Sequence, residues 1–277
     1  MLTLVGGSDV PPSPPRVAIV VPARFGSTRF PGKPLAPLRG AGGAVKSVLE
    51  RTWEVASGVG GISEIWIATD DHRVAEEALR IGARVAMTAR SCRNGTERCW
   101  DAVRSAGIDA DVIVNLQGEA PLIPPLAIDA LLDTMLSDPT IGVAAPMVRC
   151  SPLMAARLLA DARAGTVDGT TVVCDRACNA LYFSRQILPF MPDRLRDPIV
   201  HVPLSVFADR RAALACYASE APSALELAEG LEQLRFLHIG ITIRMIEVCD
   251  PPGGLRAVSH PADIASVEAA LAERRLA

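Results

Sequence analysis

The sequence predicts an α/β fold: a mostly parallel sheet with a smaller mixed α+β lobe. From Val17 to Val148 short apolar runs alternate with segments of helical period, the pattern of strands joined by crossover helices. The first run, Val17-Ala-Ile-Val-Val21, is apolar at every position, as a strand buried on both faces requires. From about Ser151 to Arg244 the runs become shorter and more polar, which marks the lobe and predicts antiparallel strands within it.

The elements follow in order. Met1–Arg16, with Gly6, Gly7 and four prolines in Pro11–Pro15, reads as a flexible leader. That leaves 17–277 as a single domain with its lobe at about 151–244. After the first strand, helical periodicity covers Val45–Ser57, Arg73–Ile81, Thr96–Ala106 and Pro125–Ser137. Strands are expected between these segments at Glu64–Thr69, Val85–Thr88, Asp111–Leu116 and Val143–Val148. The polar runs of the lobe include Arg176–Arg185 and His201–Ala208. No internal repeat or low-complexity segment interrupts the pattern.

Composition narrows the function classes. The chain has 277 residues, 49% of them hydrophobic and 21% charged, with a net charge of −3, enough for one large core. Dispersed arginines give no basic face, so no nucleic-acid partner is expected. No apolar stretch approaches the roughly 20 residues of a membrane span, and Met1–Pro15 lacks a secretory pattern, so the chain is expected in the cytoplasm. Seven cysteines in irregular positions agree with reduced thiols. Cys174 and Cys178, the closest pair, lack the further ligands zinc needs.

The segment Val20–Leu35, VVPARFGSTRFPGKPL, carries the strongest chemical signal. Ligands of parallel α/β sheets bind beyond the carboxyl ends of strands, and here the strand ends in a loop with Arg24, Ser27, Arg29, Gly32 and Lys33. Three cations with backbone N–H groups near Gly26 and Gly32 suit a triphosphate whose leaving pyrophosphate needs its charge neutralised. Lys33 is one of two lysines beside 26 arginines, a compact point charge in a chain that otherwise uses guanidinium. The loop is neither a Walker A nor a dinucleotide-binding fingerprint.

The run PAR-x-x-S-x-R-x-PGKPL resembles the opening motif of sugar-acid cytidylyltransferases, most closely the CMP-KDO synthetase (3-deoxy-manno-octulosonate cytidylyltransferase) family. The resemblance extends over about Val17–Leu271. It continues through Ile67-Ala-Thr-Asp70, Asn94-Gly-Thr-Glu-Arg98, Val114-Asn-Leu-Gln-Gly-Glu119, Ala180-Leu-Tyr-Phe-Ser-Arg185 and Leu231-Glu-Gln-Leu-Arg235. It implies a Rossmann-like nucleotidyltransferase fold, a homodimer, and transfer of CMP from CTP to a small acidic acceptor with release of pyrophosphate. The implied catalytic residues are Arg24, Arg29 and Lys33. The implied nucleotide-binding set is Pro22, Ala23, Arg24, Ser27, Lys33, Thr69, Asp70, Asn94, Gly95, Thr96, Arg98 and Gln117. Helix capping explains the chemistry of Asn94 and Thr96 equally well. A regulatory nucleotide-binding paralogue and a nucleotidyltransferase for another base are the competing readings.

The metal and acceptor positions depart from the family. Glu119, followed by Ala120, stands where relatives have Asp-Glu, and it is the expected ligand of Mg²⁺. Ser259, in Ala257-Val-Ser-His-Pro261, stands where relatives have a second aspartate. Asp250, Asp263 and His260 are the possible stand-ins, or the site has fewer protein ligands. In the acceptor pocket the family's histidine is retained as His201, whereas its first tyrosine is Ser205. Glu226, Glu229 and Gln233 fall at helical spacing and are expected to share one face, with Glu226 and Gln233 meeting the acceptor. The changed pocket predicts an altered acid, either a KDO-like sugar acid or a small phosphonate such as phosphonoformate.

Overall fold

The computed structural model describes residues 14–27, 29–163, 169–190, 199–250, 254 and 256–276. In chain order its first half forms β1 (Val17–Pro22), β2 (Pro37–Arg39), β3 (Val45–Ser47), α1 (Val48–Ser57), β4 (Glu64–Thr69), α2 (His72–Arg80) and β5 (Arg84–Met87). Next come α3 (Gly95–Ser105), β6 (Val112–Leu116), α4 (Pro125–Ser137), β7 (Val143–Arg149) and α5 (Pro152–Arg163). The rest is β8 (Thr171–Cys174), β9 (Ala180–Ser184), β10 (His201–Pro203), β11 (Val206–Arg210), α6 (Arg211–Ser219), α7 (Ala224–Glu229), α8 (Gln233–His238), β12 (Ile243–Glu247) and α9 (Asp263–Glu273).

β1 is buried along its whole length because both faces are covered. Ile19 and Val21 pack with Leu49, Ile128 and Leu131, while Ala18 and Val20 pack with Cys99, Ala102 and Val103 on the other side. Each such side chain contributes roughly 1.5–3 kcal/mol by leaving water. β1 pairs in parallel with β4 and β6, and β4 pairs in parallel with β5. The sheet runs β5-β4-β1-β6-β11-β7-β10-β8-β9, with β12 in parallel on β7. β11 is antiparallel to both β6 and β7, so β6 and β7 point the same way and the parallel order passes across it. Of the strands between 151 and 244, β11 therefore lies inside the main sheet and β10, β8 and β9 extend it, with β8 and β9 as an antiparallel hairpin at its end.

Local chemistry sets the boundaries. The helix expected over Val45–Ser57 starts at Val48, because Ser47 accepts a 3.0 Å hydrogen bond from the Glu50 N–H and caps it. Val45–Ser47 instead pairs antiparallel with Pro37–Arg39. The single face expected for Glu226, Glu229 and Gln233 is also corrected: α7 stops at Gly230, whose φ of 64° is left-handed, and α8 begins a new axis. Of the leader, 1–13 lie outside the described residues. Arg16 is pinned to the domain, its N–H donating to Asp111 Oδ2 at 2.8 Å. No helix among the described residues is long and apolar enough to cross a membrane.

A buried carboxylate on the sheet has no hydrogen-bond partner among the described residues. Asp209 on β11 is 0% exposed, and neither carboxylate oxygen meets a donor among the described residues. Burial pushes its carboxyl well above the usual range, and Glu232 pushes the same way. An acid raised in the folded state contributes stability that is present below its unfolded pKa, about 3.9, and is lost as pH rises toward the folded value. Asp209→Val is therefore expected to stabilise the protein at pH 8 by about 1–3 kcal/mol, the cost of an unsatisfied buried polar group. The gain shrinks toward pH 4. Denaturant midpoints of both proteins at the two pH values check this, and a variant less stable at pH 8 would refute it.

Candidate active site

The carboxyl ends of β1 and β6 open on a cavity of about 480 Å³, as expected for ligand sites of parallel sheets. Pro22, Ala23, Arg24, Ser27, Arg29 and Lys33 form one side. Asn94, Gly95 and Arg98 from the start of α3 form another, Gln117 and Glu119 close the floor, and Glu226 and Gln233 face them. The turns beneath are tight. A Cβ on Gly118 would stand 2.8 Å from the Pro22 carbonyl oxygen, so only glycine lets the β1 and β6 ends approach this closely.

The basic loop is fastened from behind. Gly32 has a φ of 73° and lies against the Phe25 ring, which an added Cβ would approach to 3.1 Å. The guanidinium of Arg73 stacks 3.3 Å from the centroid of the same ring, and Asp71 holds it through bonds of 2.9 and 2.8 Å. Lys33, 8% exposed, follows Gly32 directly, and its Nζ lies 3.2 Å from Glu119 Oε2. The loop thus brings its lysine against the carboxylate expected to hold metal.

Other expected residues have their own partners. Asn94 caps α3, accepting from the Glu97 N–H at 2.8 Å, while its amide donates to the Tyr217 hydroxyl at 2.8 Å. It is both a cap and a cavity residue. Arg98, 3% exposed, donates to Thr88 Oγ1 at 2.5 Å and lies 3.5 Å from Asp70. Asp70 and Thr69 stand behind the cavity rather than on its wall: Thr69 is buried and its hydroxyl accepts from the Asp71 N–H at 3.3 Å. Thr96 is 2% exposed, and its N–H donates to Glu232 Oε2 at 3.0 Å. His201 does not line the cavity; its Nε2 faces Glu247 Oε2 at 3.4 Å.

The acceptor side differs from expectation in detail. Glu226 reaches the wall, yet Arg235 donates to both its oxygens at 2.7 and 2.6 Å, and Asn94 adds a 3.3 Å bond. It is a buried strut whose oxygens are already engaged. Gln233 lines the cavity with an Oε1 that has no partner among the described residues, which leaves it ready for a ligand donor. Glu229 faces the hairpin, accepting from Ser184 Oγ at 2.8 Å and the Arg185 N–H at 2.9 Å.

Two wall residues, Glu232 and Arg185, were not among the expected site residues although both stand in the motif blocks. Glu232 accepts from Gln117 Nε2 at 3.0 Å besides Thr96. Burial raises its carboxyl above the usual range, and Glu119 and Glu226 add to this. Arg185 donates from Nε to the Glu229 carbonyl at 2.7 Å. The cavity therefore opposes a cationic loop to a carboxylate wall across a nucleotide-sized space.

For metal, the described residues contain no group of three or more His, Cys, Asp or Glu placed to hold an ion. Asp263 Oδ2 is occupied by the N–H groups of Ser259 and His260 at 2.8 and 2.7 Å. Among the carboxylates that line the cavity, Glu226 and Glu232 are already engaged and Glu119, its side chain 32% exposed, remains for an ion. That fits a Mg²⁺ ion which keeps several waters and takes its other ligands from substrate phosphates.

Residues 18–243 match the family model described as cytidylyltransferase. The chain is 40% identical over 258 residues to the 3-deoxy-manno-octulosonate cytidylyltransferase of Maricaulis maris, covering 92% of this chain and 97% of that one. The Escherichia coli protein of the same name is 36% identical over 258 residues, covering 93% and 97%. A solved structure of CMP:2-keto-3-deoxy-manno-octonic acid synthetase complexed with CTP superposes with a TM-score of 0.78 at 34% identity, covering 94% and 99%.

Proposed function

We propose, for a chain that belongs to the cytidylyltransferase family and whose relatives are named 3-deoxy-manno-octulosonate cytidylyltransferases, that it transfers CMP from CTP to a KDO-like sugar acid. The observation that carries this is the convergence of the Arg24–Lys33 loop, the α3 start, Gln117 and Gln233 on one cavity. The acceptor hydroxyl oxygen attacks the α-phosphorus, the new P–O bond replaces the bond to the β-phosphate bridging oxygen, pyrophosphate leaves and the hydroxyl proton passes to solvent water. Arg24, Arg29 and Lys33 bind the phosphates and neutralise charge on the leaving group. Pro22, Ala23, Asn94, Arg98 and Gln117 orient the nucleoside, while Gln233 orients the acid. Thr69, Asp70 and Thr96 act by holding these groups. His201 does not line this cavity, so a hydroxyl acceptor bound there would not meet it as a base.

Glu119 would hold Mg²⁺, which when bound polarises the α-phosphate and offsets its charge. With Glu119 engaged in this way, the Lys33 ammonium now 3.2 Å from it would be free for phosphate. Leu181 on the terminal strand β9 and Phe190 beyond it, 61% and 87% exposed, supply apolar surface for the homodimer. The phosphonate acceptor expected from Ser205 and Ser259 has no counterpart in the names of these relatives.

The test is pyrophosphate release with KDO and each of CTP, UTP, ATP and GTP. CTP is expected to lead the others by at least about tenfold in kcat/KM. Equal rates, or a purine nucleotide in front, would overturn the cytosine assignment.

A further inference from the structure

We propose that Glu232 is a positioning residue: it holds the side-chain amide of Gln117 so that the carbonyl oxygen Oε1, and not the amino group, is offered to a substrate N–H or O–H. The inference deepens the cytidylyltransferase reading above and rests on it. Four residues close a ring at the cavity wall. Gln117 Nε2 donates to Glu232 Oε1 at 3.0 Å and to Asn115 Oδ1 at 3.2 Å. Asn115 Nδ2 donates to Thr96 Oγ1 at 3.3 Å, and the Thr96 N–H donates to Glu232 Oε2 at 3.0 Å.

Glu232 sets the direction of the ring. A primary amide carries two N–H hydrogens, and in Gln117 both are taken by acceptors, so Oε1 is the side-chain atom left for the cavity that Gln117 lines. Asn115 could turn over together with Gln117, because an amide holds both a donor and an acceptor. An ionised Glu232 only accepts, and the donor on its other oxygen is a backbone N–H that cannot be reversed. The amide also has no room to swing away. An added Cβ on Gly95 would stand 2.5 Å from Gln117 Nε2 and 2.7 Å from its Oε1, so the glycine of the Asn94–Arg98 block lets the amide lie against the start of α3. Behind it, the Gln117 backbone N–H donates to the Ser205 carbonyl at 3.1 Å. Gln233 Oε1, without a partner among the described residues, faces the same cavity. Two amide carbonyl oxygens thus await donors on the substrates.

The test reverses the ring. Gln117→Glu alone sets two carboxylates against each other, and Glu232→Gln alone sets an amino group against one of two N–H donors; each is expected to lower kcat/KM with KDO at least about tenfold. In the double variant Gln117→Glu/Glu232→Gln the amide at position 232 donates to the carboxylate at 117, Asn115 turns over, and an acceptor oxygen again faces the cavity. It is expected to regain at least about tenfold over the weaker single variant, the coupling of residues that act as a pair. Calorimetric titration with CTP alone, set against the KM for KDO, locates the donor: lost CTP affinity in the single variants places it on the nucleotide, and a loss confined to KDO places it on the acid. Both single variants within about threefold of wild type would overturn the proposal. So would a double variant no faster than the singles, even one whose thermal stability returns. Hydrogen exchange of the Gln117 side-chain amide, assigned by its absence in Gln117→Glu, reads the ring without turnover. It is expected at least about tenfold slower than in a solvated glutamine, and fast in Glu232→Gln. If no acid releases pyrophosphate, the cytidylyltransferase reading falls and exchange alone decides: a solvated rate in the wild-type protein refutes the ring.

Discussion

Lys33→Ala is expected to lower turnover by a factor of about 100–1,000, the loss that follows removal of one preorganised transition-state donor. Lys33 is 8% exposed and ends a loop whose backbone is set by Gly32 and by the Phe25–Arg73 stack. Its position is thus fixed before substrate arrives, and little freedom is lost on binding. The substitution also leaves Glu119 without the cation 3.2 Å away. A metal ion held by Glu119 would then bind no more weakly, so the defect should fall on kcat rather than on the metal requirement. Lys33→Arg is not expected to restore the rate, since a planar fork cannot occupy the space of a compact ammonium. Steady-state kinetics with varied CTP and Mg²⁺ measure both terms, and turnover within threefold of wild type would remove Lys33 from the chemistry.

Arg235→Leu is the substitution expected to cost most stability, about 3–5 kcal/mol. Arg235 is 1% exposed. It donates to Glu226 at 2.6 and 2.7 Å, to Glu97 at 2.8 Å and to the Glu220 carbonyl at 3.2 Å. Its guanidinium also lies 4.1 Å over the Tyr217 ring. These contacts join α3, α6, α7 and α8 through one side chain. Removing it strands two carboxylates, Glu226 almost wholly buried and Glu97 largely so. For a domain of this size the melting temperature should fall by roughly 10 °C. Asn94 bonds to Glu226, whose carboxylate Arg235 holds in place, so the KM for CTP should rise in the surviving folded fraction. Thermal unfolding followed by circular dichroism checks the first effect; a shift below 3 °C would mean the cluster adds little.

The contrast between these two residues shows what the sequence carried. Lys33 stands in a short, locally determined motif: an apolar strand, a proline and a glycine announce the loop, and its charge has one evident use. β1, β4 and α4 were legible for the same reason, since period and boundary residues act within a few positions. Glu226 was harder. Its helical spacing with Gln233 suggested a shared face, but Gly230 between them carries a stop signal that breaks the axis. Its oxygens are taken by an arginine nine residues on, which only the tertiary arrangement reveals. Thr96 and Asp70 likewise stand in motif blocks yet support neighbours instead of lining the cavity. Glu232 and Asp209 owe their raised pKa values to burial, a property of packing that no local pattern encodes.

The central claim, transfer of the CTP α-phosphate with its nucleoside to a sugar acid, is tested most directly by following CTP labelled at the α-phosphorus in the presence of KDO and Mg²⁺. The account predicts that the label moves into a new phosphodiester with the mass of a CMP–acid conjugate, matched one to one by pyrophosphate and absent without acid. Label that remains in CTP although the nucleotide binds, or that appears only as free CMP, would contradict it.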